Sequence, residues 1–365
     1  MSKKRVGYFD ALNVVSCIAV VAMHVNGTSL YTFHHSVSWL SSLFIDCLCY
    51  FAVPVFFMLT GATLMDYRKR YNTYEFIKKR FSRTMIPFLF WSVVAIVWCV
   101  LALKCLKWSD VSSPIKLINV IFNVRAFNIY YFFIDLFAVY LCIPVLGIIP
   151  SQKRIGKKGV FTYLILYTFL SRSLLPVLFT IIGIEWNQSL NNPLGGGYII
   201  FVLLGYCLAN TQIELKRRRV IYLFGVIALF FQFGITAYLS FRDNSINAMY
   251  RGYTNFPTVI YAVAVFTAFK YFKWENYEKL NSAIMHLSGE SFGVYLIHKY
   301  SIYVLCYIFH INEFSVVWRI GGIFLTYGLS VIIVKFVQSS NTLSPMLVTV
   351  LGIFISFKLP QYSKA

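Results

Sequence analysis

The chain has 365 residues, 59% of them hydrophobic and 19% aromatic, with only 13% charged and a mean hydropathy of +0.68; such a composition cannot clothe a water-soluble globule. Its apolar runs are continuous over about 20 residues, enough to cross a hydrocarbon layer about 30 Å thick, and do not alternate over about ten as in a β-barrel. The formal net charge of +20 does not point to nucleic acid, because Lys and Arg come in short clusters between apolar runs, as topology signals do; anionic lipid headgroups, or an anionic co-substrate at the inner face, are the expected partners.

The reading is an all-α polytopic bundle of about ten spans in a lipid bilayer. Lys3, Lys4 and Arg5 precede a first span, Tyr8–Asn26, and hold the N-terminus in the cytoplasm. No small-residue cleavage pattern ends this run, so it is read as retained. The loop Thr28–Ser38, without Lys or Arg, follows outside, and a second span, Leu40–Met65, returns through Pro54 and Phe56-Phe-Met-Leu-Thr-Gly61. Arg68–Arg70 and Lys78–Arg83 form a basic inner loop before a third span from Pro87 to Leu103; Lys104–Asn128 is placed at the outer interface. A fourth span, Ile129–Ile149, carries Asp135 and ends at the basic Ser151–Lys158. The fifth, Val160–Ile182, holds Arg172 near its centre, and the loop Glu185–Gly197 lies outside. A sixth span reaches Ala209 and meets Lys216–Arg219, a seventh runs to Phe241, and an outer loop holds Arg242 and Arg251. Phe256–Phe272 is the eighth span, Lys273–Lys279 an inner amphipathic segment, the ninth span begins near Ser291, and the tenth is Val316–Val337. The 15-residue run Leu343–Phe357 is borderline in length and stands as a candidate eleventh.

No polar stretch is long enough for a second soluble domain, so residues 1–365 read as one membrane-embedded domain with a core over 5–340 and a short apolar segment at 343–357. No internal repeat is visible. The eight cysteines are scattered through apolar spans without metal-type spacing, so they read as small buried hydrophobes and no metal is expected.

Polar groups at membrane depth are costly and therefore informative. In the first span Asn13 and His24 are eleven positions apart and differ by about 20° around the helix, with Asp10 and Cys17 within about 60° of the same line. His24 has the chemistry of a general base toward a hydroxyl; a polar interhelical contact is the competing account. Asp10 lies about 21 Å along the axis from it and cannot orient it within this helix; Asp10 also suits a helix first turn, and Asn13 suits helix–helix contact. Arg80 and Arg83, one turn apart, are either inner-face anchors or a fork for phosphate. Asp135 and Arg172 need partners or a wet cavity, and His298 either lines that cavity or bonds a neighbouring carbonyl.

Five motifs occur in order: Arg5 with Phe9-Asp-Ala-Leu-Asn and His24; Phe56–Gly61; Lys79-Arg-Phe-Ser-Arg83 with Ile86-Pro-Phe-Leu-Phe-Trp91; Tyr131-Phe-Phe with Tyr140-Leu-Cys-Ile-Pro144; and Ser291-Phe-Gly-Val-Tyr-Leu-Ile-His298. Together they resemble the acyltransferase-3 family of membrane acyltransferases that modify cell-envelope sugars. The resemblance implies O-acyl transfer, usually acetyl, from acetyl-CoA or another acyl-CoA to a hydroxyl of a cell-surface or lipid-linked polysaccharide, in the bacterial cytoplasmic membrane. It implies that His24 is functional and that Arg80 and Arg83 bind the donor; Asp10 and Asn13 stand with His24 as the candidate catalytic set, and Asp135, Arg172 and His298, read from their depth in the spans, as candidate lining of a substrate pocket. The family's usual Arg eleven residues before the His is Asn13 here, which removes a cation. The alternative reading is a multi-span transporter or flippase for lipid-linked saccharides, using Asp135, Arg172 and the histidines as a polar path; a sensor or scaffold without turnover is a third.

Overall fold

The computed structural model describes residues 7–151 and 157–339. Lys3–Arg5, most of the basic run after Ser151 and the candidate eleventh span Leu343–Phe357 lie outside the described residues. The described residues are helical throughout: α1 Gly7–Val25, α2 Gly27–Tyr31, α3 Val37–Cys49, α4 Ala52–Leu64, α5 Thr73–Leu101, α6 Pro114–Phe122, α7 Tyr131–Leu146 and α8 Ile148–Ser151. There follow α9 Lys157–Thr168, α10 Leu175–Ile181, α11 Ile199–Asn210, α12 Leu215–Arg242, α13 Phe256–Tyr271, α14 Glu278–Phe309 and α15 Val316–Ser339. Eight segments are long and apolar enough to cross a membrane, one of them α3 and α4 taken together. The chain is thus a polytopic helical membrane protein.

The expected spans are found with two adjustments. Lys78–Arg83 lie inside α5, not in a loop: Asn72 caps this helix by accepting from the Glu75 amide at 2.9 Å, and Pro87 sits within it, as membrane helices tolerate. Likewise α14 starts at Glu278, thirteen residues before Ser291. The sixth and eighth spans keep their expected, short bounds: α11 has 12 residues and α13 has 16, about 18 and 24 Å of helix against a 30 Å layer.

The helices fall into two compact units, one drawn from residues 7–64 and 157–336, the other built around residues 65–151. In the first, contacts at nearly constant sequence offset show that α1 and α14 run parallel, since Asn13 meets Ser288 and Cys17 meets Ser291. Contacts at nearly constant sum show that α12 and α13 run antiparallel, Gly225 against Ala264 and Gln232 against Thr258. α4 and α11 touch backbone to backbone: a Cβ on Gly61 would lie 1.9 Å from the Val202 carbonyl oxygen, and one on Gly205 2.0 Å from that of Met58. Lys270, in the last turn of α13, donates to the carbonyls of Leu208 (2.7 Å) and Thr211 (2.6 Å) and so closes the C-terminus of α11.

In the second unit α5 and α7 pack antiparallel through aromatic rings: Phe76 with Tyr140, Phe81 with Phe137, and Phe88 with Phe133 and Tyr130. These pairs fix which face of α5 turns inward, and with it the direction of Arg80 and Arg83.

Candidate active site

The polar stripe of α1 is the seam against α14. Asn13 Nδ2 donates to the Ser288 carbonyl at 3.1 Å and to its hydroxyl at 3.0 Å, and the Cys17 thiol donates to the Ser291 carbonyl at 3.4 Å. Two turns beyond Cys17 and Ser291, the same register brings His24 beside His298, their ring centroids 5.2 Å apart and planes 30° apart. His24 is half-buried and His298 fully buried. His298 Nδ1 lies 2.7 Å from the Tyr295 carbonyl and 3.2 Å from that of Val294. A carbonyl only accepts, so Nδ1 carries the proton. Nε2 is buried and has no hydrogen-bond partner among the described residues.

Polar groups gather at this end of α1. Lys299 follows His298 and is within electrostatic range of both imidazoles; its ammonium lies 5.8 Å from the Tyr303 ring centre. The Glu313 side chain accepts from the Thr28 hydroxyl, and its carbonyl accepts from Ser29 Oγ at 3.2 Å. Asp10 is fully buried near the opposite end of α1. The structure therefore joins His24 to His298 and leaves Asp10 and Asn13 away from them, with the Asn13 amide committed to Ser288.

In the second unit, Arg80 and Arg83 are half-buried whereas Lys78 and Lys79 are exposed. Arg80 Nη2 donates to the Tyr71 hydroxyl at 3.4 Å, and its buried Nε has no partner among the described residues. Lys79 and Arg70 cover the same tyrosine ring at 4.5 and 5.4 Å. Arg80 and Arg83 lie one turn apart on α5, near enough for each charge to act on the other, and a bound phosphate would offset that repulsion. Asp135 is half-buried on α7. An open cleft of about 270 Å³ beside α6, lined by Ser109, Asp110, Lys116 and Arg125 among others, includes neither Arg80 nor Arg83.

Arg172 has a partner within the first unit. It lies in a π-helical turn, Phe169–Leu174, and donates through Nε and Nη2 to the Asn192 carbonyl, each at 3.3 Å. Asn192 is itself buried, its amide N–H donating to Ser171 Oγ and its side chain to Thr168 Oγ1. Arg172 thus pins the loop after α10.

Two buried charges inside apolar spans, Asp46 and Arg319, were not singled out in the sequence. Asp46, on α3, pairs with Arg251 at 3.5 Å, both side chains almost inaccessible. Arg319, on α15, is 1% exposed and donates to the Ser38 carbonyl and to the hydroxyls of Ser38, Ser41 and Ser42 on α3. The signal for both was an ionisable residue inside an apolar span, the criterion that had flagged Asp135 and Arg172.

A neutral imidazole with one nitrogen bonded and the other bare, beside a second, partly accessible imidazole, can hold and move a proton. Among the described residues no group of three or more His, Cys, Asp or Glu is placed to hold a metal ion. A family model described as an acyltransferase domain, that of the acyltransferase-3 family, matches residues 6–335. No curated protein and no solved structure matches the chain.

Proposed function

The chain belongs to the acyltransferase-3 family and is a membrane acyltransferase, and from that premise we propose that it moves an acetyl or other short acyl group from acyl-coenzyme A to a hydroxyl of a cell-surface or lipid-linked glycan. The observation that carries the reading is His24, half-buried in the last turn of α1, beside a buried imidazole with a bare nitrogen. His24 takes the proton of the acceptor hydroxyl as that oxygen bonds to the acyl carbon; the carbon–sulfur bond breaks and the thiolate of coenzyme A leaves, taking the proton from the imidazolium. Arg80 and Arg83 bind the donor's phosphates, a role supported by the unused Arg80 Nε donor and by two cations one helical turn apart. The enzyme resides in the bacterial cytoplasmic membrane with its N-terminus inside, so the donor is drawn from the cytoplasm.

General-base assistance is worth about 10² to 10⁴ in rate. His24→Ala is expected to remove transfer of label from radiolabelled acetyl-coenzyme A to glycan in membrane vesicles, at unchanged protein level; transfer near the wild-type rate would refute the base assignment. Label that never enters a glycan even with the wild-type chain would refute the donor and acceptor classes. Arg83→Ala is expected to weaken acyl-coenzyme A binding more than Lys69→Ala, whose ammonium is exposed beside Asp66; equal losses would reduce the arginines to surface charge.

A further inference from the structure

We propose that His298 is the positioning residue of the reaction: its bare Nε2 accepts an N–H from His24 and thereby aims the other, lone-pair nitrogen of His24 at the acceptor hydroxyl. The inference rests on His24 being the base. It answers a need the sequence left open, because Asp10, about 21 Å along α1, cannot orient that imidazole.

The Tyr295 carbonyl fixes the His298 proton on Nδ1 through a 2.7 Å bond that closes within α14 itself, so Nε2 carries a lone pair. A second proton there would leave a cation in a fully buried position with no acceptor among the described residues. An acceptor with nothing to accept from is an expensive feature in a membrane interior, and the His24 ring beside it has an N–H to offer. The spacing suits the exchange. Two imidazoles joined edge to edge put their ring centres about 5 Å apart, a hydrogen bond of about 2.9 Å plus the distance from each ring centre to its nitrogen; the observed centroid separation is 5.2 Å. Rotation of the half-buried His24 ring closes the bond, as catalytic hydrogen bonds that are loose without substrate commonly tighten with it.

The resulting chain runs from the Tyr295 carbonyl through His298 and His24 to the hydroxyl. When His24 takes the hydroxyl proton, its cation forms while its other N–H rests on His298 Nε2. His298 gains and loses no proton over the cycle, and the proton leaves with the coenzyme A thiol.

The experiment measures acetyl transfer to glycan by His298→Leu and His298→Gln beside His24→Ala in the same vesicles. Leucine fills the volume without an acceptor; glutamine offers an amide oxygen. His298→Leu is expected to lower kcat about 100-fold with little change in the KM for acyl-coenzyme A, and His298→Gln to recover at least tenfold of that loss. Equal loss in both variants, or a loss carried by KM, would make His298 a packing residue and overturn the proposal. If His24→Ala is inactive but His298→Leu turns over normally, only this inference falls; if His24→Ala is active, the underlying reading falls first. A second measurement needs no variant: nitrogen NMR of the histidine-labelled wild-type protein should show a buried neutral ring protonated on Nδ1, and its absence would overturn the tautomer on which the proposal stands.

Discussion

Asp46 and Arg251 are each almost wholly buried and 3.5 Å apart, so neither can lose the other without leaving a bare charge. Removing one member of such a pair costs about 3–5 kcal/mol, whereas replacing both by apolar groups of like volume is often tolerated. Asp46→Leu and Arg251→Met are therefore expected to lower the thermal unfolding midpoint in detergent separately, and the double variant to recover most of it; a double variant as unstable as the sum would mean the two act independently. These residues also show what the sequence conceals. His24 was legible because a histidine in an apolar span is conspicuous, and Arg80 and Arg83 because their spacing places them on one face. The partner of His24 was not, since the meeting of His24 with His298 depends on the register of two helices more than 270 positions apart. Nor was the commitment of Asn13 to Ser288 or of Arg172 to Asn192, both of which turn conspicuous polar residues into fasteners.

At the scale of elements, hydropathy alone located each of the ten expected segments in the described chain, but not where helices begin. Helix α5 starts fourteen residues before Pro87 because Asn72 caps it and Glu75–Lys79 supports its first turns, signals a hydropathy window does not weigh. The close approach of α11 to α4 was equally hidden, for it rests on Gly61 and Gly205, which let the backbones of Val202 and Met58 come into contact with them. A methyl group on Gly61 would overlap the Val202 carbonyl, which cannot swing aside as a side chain could. Gly61→Ala should cost roughly 1–3 kcal/mol, the range for overpacking a well-fitted interface, while Gly234→Ala on α12, where nothing lies within 4 Å, should be neutral or slightly stabilising. Comparable melting shifts for the two would remove the close approach as the cause.

For the molecule as a whole, orientation follows from charge and from helix direction, and the two can be set against each other. Parallel α1 and α14 must point the same way across the bilayer, antiparallel α12 and α13 opposite ways, and Lys270 ties the ends of α13 and α11 to one side. The basic Lys216–Arg219 at the start of α12 favours the cytoplasm for that end, because Lys and Arg near span ends tend to stay inside. On the orientation proposed above, Ser245, in the loop between α12 and α13, is expected outside and Glu214, just before α12, inside. With the unaltered chain as background, an impermeant maleimide is expected to label Ser245→Cys in intact cells and Glu214→Cys only after permeabilisation. The reverse pattern would invert the first unit while leaving the meeting of His24 and His298 intact, since that depends on helix register and not on which face of the membrane it opens to.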